Sequence, residues 1–357
     1  MLVQTHFPQR LSPARYDAFL ASGWFRGSVM LYKMDLLCIE GDVRSVVNIR
    51  LDLEKHLFRK SQRKLIRKVE ERFTVTYGIA QPNANKEALY AQMKSRFKGF
   101  IHPTLNDYLN SGFHQEVFNT REVCVFDEGK LVAVSYFDCG EKSMASLLGL
   151  FDENYAEHSL GIYTMLKELQ FGLRHGYRWY YPGYVLDRTS PFDYKLRLGE
   201  FEYYNPNQRW ARFEGFRSEE TKAHQLRVRL DNLRLILEAV GLPHNEVLYP
   251  LFSMGYVGYW NTEFVRHPLF LKVDLPGGQA LQFGYDLDMG AYIVNRICES
   301  PEYDHLINME ASSEFKGDHR YQMRLLIVTE HLMVVPVAEM DMLDVFIREA
   351  KRKWYTS

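Results

Sequence analysis

Two hydrophobic patterns alternate along the N-terminal half of the chain. Short segments with alternating apolar or β-branched residues are typical of half-buried strands, and segments with apolar residues every three or four positions are typical of amphipathic helices. The predicted strands are Trp24 to Lys33, Val43 to Leu53, Phe73 to Ile79, Arg121 to Phe126, Leu131 to Phe137, Ser143 to Leu150 and Arg178 to Tyr181. The predicted helices are Ser12 to Ala21, Arg59 to Arg72, Lys86 to Phe97, Pro103 to Asn110 and Ser159 to His175.

The segment from residue 121 to residue 184 predicts a specific topology. A hairpin is followed by a strand, a helix with Gly161 in its first turn, and a second strand that ends in the bend Tyr181-Pro182-Gly183-Tyr184. This order is similar to that of GNAT acyltransferases, in which a parted pair of strands and the first amides of a helix hold an activated acyl donor. We therefore expect an α+β fold with a GNAT-like split mixed sheet flanked by helices.

The pattern changes after Phe213. A long charged helix is predicted over Ser218 to Val240, and the start of this helix suggests a boundary between residues 216 and 217. Further predicted elements are a hairpin of Leu269 to Val273 with Leu281 to Tyr285, strands near Leu325 to Val328 and Leu332 to Val337, and a helix over Asp341 to Trp354. Residues 1–216 are expected to form the GNAT-like domain, and residues 217–357 an α+β appendage whose role the sequence does not indicate.

Composition narrows the class of protein. The chain has 357 residues, 46% of them hydrophobic, which is enough for two domains, and the formal net charge is -1. A nucleic-acid partner must therefore meet a local basic patch. The four cysteines form no CxxC pair, which argues against a disulfide framework or a zinc site and favours a reducing cytosol. The lack of a long apolar run predicts a soluble protein with no membrane partner; the oligomeric state is left open.

One predicted helix has a strongly basic face. Arg59, Lys60, Arg63, Lys64, Arg67, Lys68 and Arg72 fall on two adjacent rows opposite its apolar face. A solvated helix face is the usual meaning of such a charge run, and a stripe of contacts to phosphate groups is the functional alternative.

Several short motifs resemble one family when they are taken together. They are Phe151-Asp152, Tyr155, Ser159-Leu160-Gly161, Tyr163, Leu166, Glu168-Leu169, Tyr181-x-Gly183-Tyr184 and Tyr194-Lys195, preceded by Gly23-Trp24, Tyr32-Lys33 and the basic segment from Arg59 to Lys64. In this order and spacing they resemble the arginyl-tRNA-protein transferases and their bacterial aspartate/glutamate leucyltransferase relatives. The resemblance spans about residues 15 to 213.

The resemblance implies an activity and a set of site residues. The activity is transfer of an amino acid, arginine or leucine, from an aminoacyl-tRNA to the N-terminus of an acceptor protein with an acidic first residue, a cytoplasmic step of N-degron pathways. The implied catalytic residues are Glu168, Tyr181, Tyr184 and Lys195; the substrate-binding residues are Ser159, Gly161, Tyr163, Gly183 and Tyr194; the tRNA-binding residues are Arg59, Lys60, Arg63, Lys64 and Arg67.

The chain departs from the family pattern at one place. The family has a cysteine cluster, proposed to hold a metal or an iron–sulfur cofactor, where this chain reads Met34 to Glu40 with Cys38 alone. A single cysteine cannot make a tetrahedral thiolate site. We therefore expect no metal and no cofactor.

Two other functions stay open. A CoA-dependent N-acetyltransferase needs small residues in the first helical turn, and the ring of Tyr163 is expected to crowd a pyrophosphate there. A non-catalytic RNA-binding or protein-binding descendant is the third possibility, in view of the missing cysteines and the C-terminal appendage.

Overall fold

The computed structural model describes residues 1–110, 117–257, 262–307 and 309–355. Its α-helices are α1 (Pro13–Ala21), α2 (Lys60–Glu70), α3 (Ala84–Met93), α4 (Leu105–Asn110), α5 (Leu160–Arg174), α6 (Lys222–Val240) and α7 (Met340–Tyr355). Its first eleven strands are β1 (Val3–His6), β2 (Phe25–Gly27), β3 (Met30–Met34), β4 (Leu36–Ile39), β5 (Asp42–Asp52), β6 (Thr74–Ile79), β7 (Phe100–Ile101), β8 (Thr120–Asp127), β9 (Lys130–Cys139), β10 (Ser143–Phe151) and β11 (Trp179–Tyr181). The remaining strands are β12 (Tyr184–Leu186), β13 (Glu202–Tyr204), β14 (Trp210–Arg212), β15 (Asn245–Leu248), β16 (Leu269–Asp274), β17 (Gln279–Asp286), β18 (Ala291–Glu299), β19 (Glu310–Ala311) and β20 (Leu326–Pro336).

The largest sheet is mixed and spans the N-terminal part of the chain. Its strands follow the order β14-β13-β5-β11-β10-β9-β8-β6, and β4 and β12 also pair with β5. Strands β10 and β11 are parallel, with Ser143 opposite Trp179 and Ala145 opposite Tyr181, whereas the other described pairs of this sheet are antiparallel. The predicted mixed sheet with a parallel crossover through a helix is confirmed.

Alternation along β5 separates the two faces of this sheet. Val47, Ile49 and Leu51 pack into the core beneath α5 and α2, together with Tyr180 of β11. Asn48 and Arg50, and Tyr181 of β11, therefore belong to the opposite face. That face is covered by Tyr16 and Leu20 of α1 and by Leu31 of β3.

The helices begin and end as their sequences dictate. The Ser12 side chain accepts a hydrogen bond from the N–H of Arg15 at 3.3 Å and caps α1, whose first residue is Pro13. Helix α2 buries Gln62, Ile66 and Val69 and exposes its charged residues, as its pattern predicts.

Some strands differ from the sequence prediction. The single strand expected over Trp24 to Lys33 is a hairpin, because the chain reverses at Ser28, which has a left-handed φ of 55°. The hydrophobic pattern predicts neither β4 nor β18, although β18 is a largely buried strand inside the second sheet. The two short strands expected near Leu325 and Leu332 are one strand, β20.

The C-terminal part forms its own antiparallel sheet, in the order β15-β16-β17-β18-β20, with α6 and α7 packed against it. Its core also contains apolar side chains from the N-terminal part, namely Leu2, Val3, Leu36, Cys38 and Val43. The boundary after residue 216 stays a prediction, but the two parts share buried side chains across it. No helix in the described ranges is long and apolar enough to cross a membrane.

Candidate active site

A cavity opens where β10 and β11 part. The two strands pair only as far as Ala145 and Tyr181. Beyond this point β10 continues along β9 to Phe151, whereas the chain after Tyr181 bends at Pro182 and Gly183 and pairs with β5 as β12. Gly183 has a φ of 91°, which only glycine adopts readily. The gap leaves a cavity of about 610 Å³.

The cavity brings together most of the site residues predicted from the sequence. Those in its wall are Ser159, Gly161, Glu168, Tyr181, Gly183, Tyr184, Tyr194 and Lys195. They come from α5, from the bend after β11, and from the turns of 3₁₀ helix over Pro191–Leu198. Residues from separate segments of the chain thus lie together at the gap between β10 and β11.

Glu168 is the most unusual titratable group of this cavity. Its side chain is fully buried, and the hydroxyl of Tyr180 donates a hydrogen bond of 2.7 Å to Oε2. The other oxygen, Oε1, has no hydrogen-bond partner among the described residues. Burial raises the pKa of Glu168 to about 7, although the hydroxyls of Tyr180, Ser135 and Ser146 favour the ionised form. A carboxyl group that titrates near neutral pH can both accept and return a proton.

Lys195 supplies a positive charge to the same cavity. Its Nζ donates a hydrogen bond of 2.9 Å to the carbonyl oxygen of Tyr184 and lies 5.1 Å from the ring centroids of Tyr184 and Phe192. Burial alone lowers the pKa of Lys195 to about 8, and no carboxylate of the described residues pairs with it. The amine is therefore available to a carboxylate or phosphate group of a ligand.

The first turn of α5 borders the cavity. Ser159 has a left-handed φ of 54°, and its side chain makes no capping hydrogen bond. Leu160, Gly161 and Ile162, which follow it, lie in the cavity wall. The first N–H groups of a helix have no acceptor inside the helix, so this turn can bind an anionic oxygen.

The predicted aromatic residues lie at different depths. Tyr181 is buried on the α1 face of the sheet, with its ring centroid 5.6 Å from that of Trp210. Tyr184 packs edge to face between Phe25, at 5.3 Å, and Phe192, at 5.5 Å. Tyr194 is 42% exposed at the cavity mouth. Tyr181 is thus part of the inner wall, and Tyr194 is accessible from solvent.

The placement predicted for Tyr163 is wrong. Its side chain is completely buried in the core beneath α5 and α2 and is not part of the cavity wall. The reason is helix geometry, because a residue two positions after Gly161 points about 200° around the helix from it. The ring therefore does not crowd the first turn of α5, and the argument against CoA that rested on it does not hold.

The basic helix α2 lies outside the cavity wall. Arg59, Lys60, Arg63, Lys64 and Arg67 are all exposed, and none of them lines the cavity. The start of α2 is nevertheless attached to the segment that contains Lys195, since Gln62 Nε2 donates hydrogen bonds to the carbonyl oxygens of Arg197, at 3.0 Å, and Leu198, at 2.8 Å. A role of this face in tRNA binding stays a prediction.

Several residues in or beside the cavity are not apparent from the sequence. Tyr180, Ser135, Ser146 and Asn48 lie on four strands, and no spacing in the sequence joins them to Glu168 or to each other. Only the position of Tyr180 can be predicted from the sequence. Side chains alternate along a strand, so the rings of Tyr180 and Tyr181 lie on opposite faces of the sheet.

The family's cysteine cluster has no counterpart among the described residues. Cys38 is buried in the C-terminal core, and its thiol donates a hydrogen bond to the carbonyl oxygen of Pro268 at 3.4 Å. Its side chain thus belongs to the packing between the two parts of the chain.

Comparison with known proteins identifies the segment that surrounds the cavity. Residues 79–205 match the family model described as arginine-tRNA-protein transferase, C terminus. The chain is 22% identical to an aspartate/glutamate leucyltransferase of Leptospira interrogans over 207 residues, which cover 57% of this chain and 76% of the relative. It is 26% identical to the leucyltransferase of Helicobacter hepaticus, over 54% of this chain and 80% of the relative.

Solved structures show weaker likeness. The C-terminal domain of a putative lysylphosphatidylglycerol synthetase from Agrobacterium fabrum is 14% identical, with a TM-score of 0.30, and the match covers 40% of this chain and 47% of the other. FemX is 11% identical, with a TM-score of 0.31, over 54% and 68% of the two chains. These scores add nothing to the topology described above.

Proposed function

We infer that this chain, whose residues 79–205 match the family model of the arginine-tRNA-protein transferase C terminus, transfers an amino acid from an aminoacyl-tRNA to the N-terminus of an acceptor protein. The observation that supports this most strongly is the cavity at the parted strands. It holds a carboxyl group, Glu168, and an amine, Lys195, neither of which has a charged partner among the described residues, next to the first turn of α5.

The reaction needs few functional groups. The neutral α-amine of the acceptor forms a bond to the carbonyl carbon of the aminoacyl ester, and the bond from that carbon to the ribose oxygen then breaks. The amine nitrogen loses a proton and the ribose oxygen gains one. Glu168, with a pKa of about 7, accepts the first proton and returns one to the leaving oxygen.

Groups that bind the substrates and stabilise negative charge provide the remaining acceleration of the reaction. The N–H groups of Leu160, Gly161 and Ile162 stabilise negative oxygen, either of the tetrahedral intermediate or of a nearby phosphate group. Lys195 binds the acidic side chain of the acceptor's first residue. This contact explains why acceptors with an acidic first residue are selected, as a cytoplasmic role in N-degron pathways requires. The exposed face of α2 binds tRNA phosphates beside the segment of Lys195.

The experiment that tests this function offers the purified protein a choice of donors. Leucyl-tRNA, arginyl-tRNA and acetyl-CoA, each labelled in its acyl group, are mixed with a peptide that begins with Asp. We expect label to pass from one aminoacyl-tRNA to the peptide and not from acetyl-CoA. An acceptor peptide that begins with Lys serves as the matched control, because Lys195 is expected to repel its side chain. Transfer of the acetyl group alone would replace this function with N-acetylation.

A further inference from the structure

Asn48 lies in the cavity wall on the α1 face of the sheet, opposite to the face that α5 covers. It is 8% exposed, and its Nδ2 donates a hydrogen bond of 2.6 Å to the carbonyl oxygen of Gly23. That carbonyl can only accept, so the bond fixes which end of the amide is nitrogen. The oxygen, Oδ1, is buried and has no partner among the described residues.

The surroundings of Asn48 suit a ligand that donates N–H groups. The aromatic residues Trp24, Tyr181 and Trp210 line the same cavity. Two arginines near this face are already engaged. The Arg50 guanidinium pairs with Glu202 at 2.7 Å and lies 4.4 Å from the Trp210 centroid, and Arg26, which lines the cavity, pairs with Asp138 at 2.7 Å. A buried carbonyl-type oxygen without a partner accepts a hydrogen bond from an N–H group, and the aromatic rings leave no charged group to compete for it.

The two faces of the sheet differ in the chemistry that they offer. The α5 face supplies helix N–H groups, which suit the anionic end of an aminoacyl-tRNA. The face of Asn48 supplies an unpaired carbonyl oxygen among aromatic rings. Since both faces meet in one cavity at the parted strands, the two substrates can approach the same point from opposite sides.

We propose that Asn48 Oδ1 is a positioning group that accepts a hydrogen bond from the α-amine of the acceptor's first residue. The proposal rests on the proposed function and adds the face and the residue that bind the nucleophile. A neutral amide is suited to this role. Its partial charge favours the ammonium form much less than the full charge of a carboxylate, which at the same place would raise the pKa of the amine and hold it in the form that cannot attack.

A binding cycle tests the proposal without requiring turnover. The dissociation constant is measured for an Asp-starting peptide and for its des-amino analogue, with the wild-type protein and with Asn48→Leu. We expect the wild type to prefer the peptide with the amine by about tenfold, and Asn48→Leu to reduce that preference to about twofold or less. An unchanged preference in Asn48→Leu would overturn the proposal.

Asn48→Asp separates the role of the oxygen from that of the bond to Gly23. Both substitutions lose the Nδ2 donor, but only Asn48→Asp keeps an acceptor at this position. With this variant we expect the preference for the amine to be retained and the rise of kcat/KM with pH to move upward by about one pH unit. A pH profile that coincides with that of the wild type would contradict the argument.

The outcomes also separate this proposal from the proposed function. If the wild type transfers no amino acid but its preference for the amine depends on Asn48, the subsite stands and the transferase function fails. If Asn48→Leu raises KM for aminoacyl-tRNA and leaves the peptide preference intact, the subsite belongs to the donor and the proposal is wrong.

Discussion

Burial of the Glu168 carboxyl raises its pKa to about 7, so this residue changes its charge across the pH range in which most cells work. The buried position favours the protonated carboxyl, because desolvation disfavours the charge more than the hydroxyls of Tyr180, Ser135 and Ser146 stabilise it. The same residue thus determines part of the pH dependence of both stability and transfer.

Replacement of Glu168 by Gln is expected to stabilise the protein at high pH. The folded-state pKa is raised above the ordinary value of 4.5, so the folded protein binds the proton more tightly. The stability that this proton provides is fully present below pH 4.5 and is lost as the pH rises to 7. Glu168→Gln should therefore raise the free energy of unfolding by about 3 kcal/mol at about pH 8 and leave it nearly unchanged at about pH 4. Urea unfolding at the two pH values measures this. An equal effect at both would show that Glu168 is ionised in the fold at an ordinary pKa.

Replacement of Lys195 is expected to affect transfer more than stability. The amine makes one hydrogen bond, to the Tyr184 carbonyl oxygen, and has no charged partner in the described chain. Loss of a charge-assisted contact to the acceptor, about 1.5 to 3 kcal/mol, should reduce kcat/KM for Asp-starting peptides roughly ten- to a hundredfold. Lys195→Met is the matched variant, because it keeps an unbranched side chain of similar length and removes the charge. A loss of melting temperature without a loss of transfer would assign Lys195 a structural role only.

Among the secondary-structure elements, the sequence predicted the split sheet correctly, because the elements that form it follow one another along the chain. The strand, α5 and second strand that frame the cavity lie within one continuous segment, so their order was enough to predict the split sheet. The bend at Gly183 was visible as a glycine between aromatic residues. Local pattern failed where a strand is buried on both faces, as in β18, since an apolar run without alternation is not distinctive of a strand.

The missed half of the site depends on contacts between distant segments. Asn48 and Tyr181 line the same cavity because β5 pairs with both β11 and β12, and nothing near Asn48 in sequence indicates this. Tyr163 was misplaced for the opposite reason. Its position in a family motif suggested a site residue, while its angular position on α5 sends it to the core. The family motif therefore predicted that α5 borders the site, but it predicted the wrong position for the side chain of Tyr163.

The exposed face of α2 is expected to determine how tRNA binding responds to salt. Arg59→Gln, Arg63→Gln and Arg67→Gln together should flatten the slope of log K against log salt by roughly one unit for each phosphate contact that is lost. Arg10→Gln with Lys316→Gln is the control, because both residues are exposed and neither lies on α2. Filter binding of tRNA at several salt concentrations provides the slopes. Equal slopes for the two sets of variants would remove α2 from the interface.

At the scale of the whole molecule, the N-terminal and C-terminal parts are joined by a common core. Leu2, Val3, Leu36, Cys38 and Val43 pack among the side chains of the C-terminal sheet. Arg227 of α6 also forms an ion pair with Asp42 at the start of β5, the strand on which the large sheet is organised. The C-terminal part therefore supports the sheet that contains the site.

Removal of residues 217–357 is expected to destabilise the remainder. Four of the side chains that would be exposed are Leu or Val, and each stabilises by roughly 1.5 to 3 kcal/mol when buried. Their exposure therefore costs about as much as the whole stability of a typical domain. The fragment 1–216 should lack a cooperative thermal transition in circular dichroism, whereas Leu36→Ser with Val43→Ser should recover solubility without recovering the transition. A fragment that melts cooperatively near the temperature of the full chain would show two independent domains.

We propose that the cavity at the parted strands transfers an amino acid from tRNA to an acceptor N-terminus, with Glu168 as the group that moves the proton. The most direct test is the intact mass of an Asp-starting peptide after incubation with aminoacyl-tRNA and either the wild type or Glu168→Gln at mildly alkaline pH. We expect the wild type to add the mass of one amino acid residue, and Glu168→Gln, although at least as stable, to do so about a hundredfold more slowly. Equal rates for the two proteins, or a peptide of unchanged mass with the wild type, would contradict this claim.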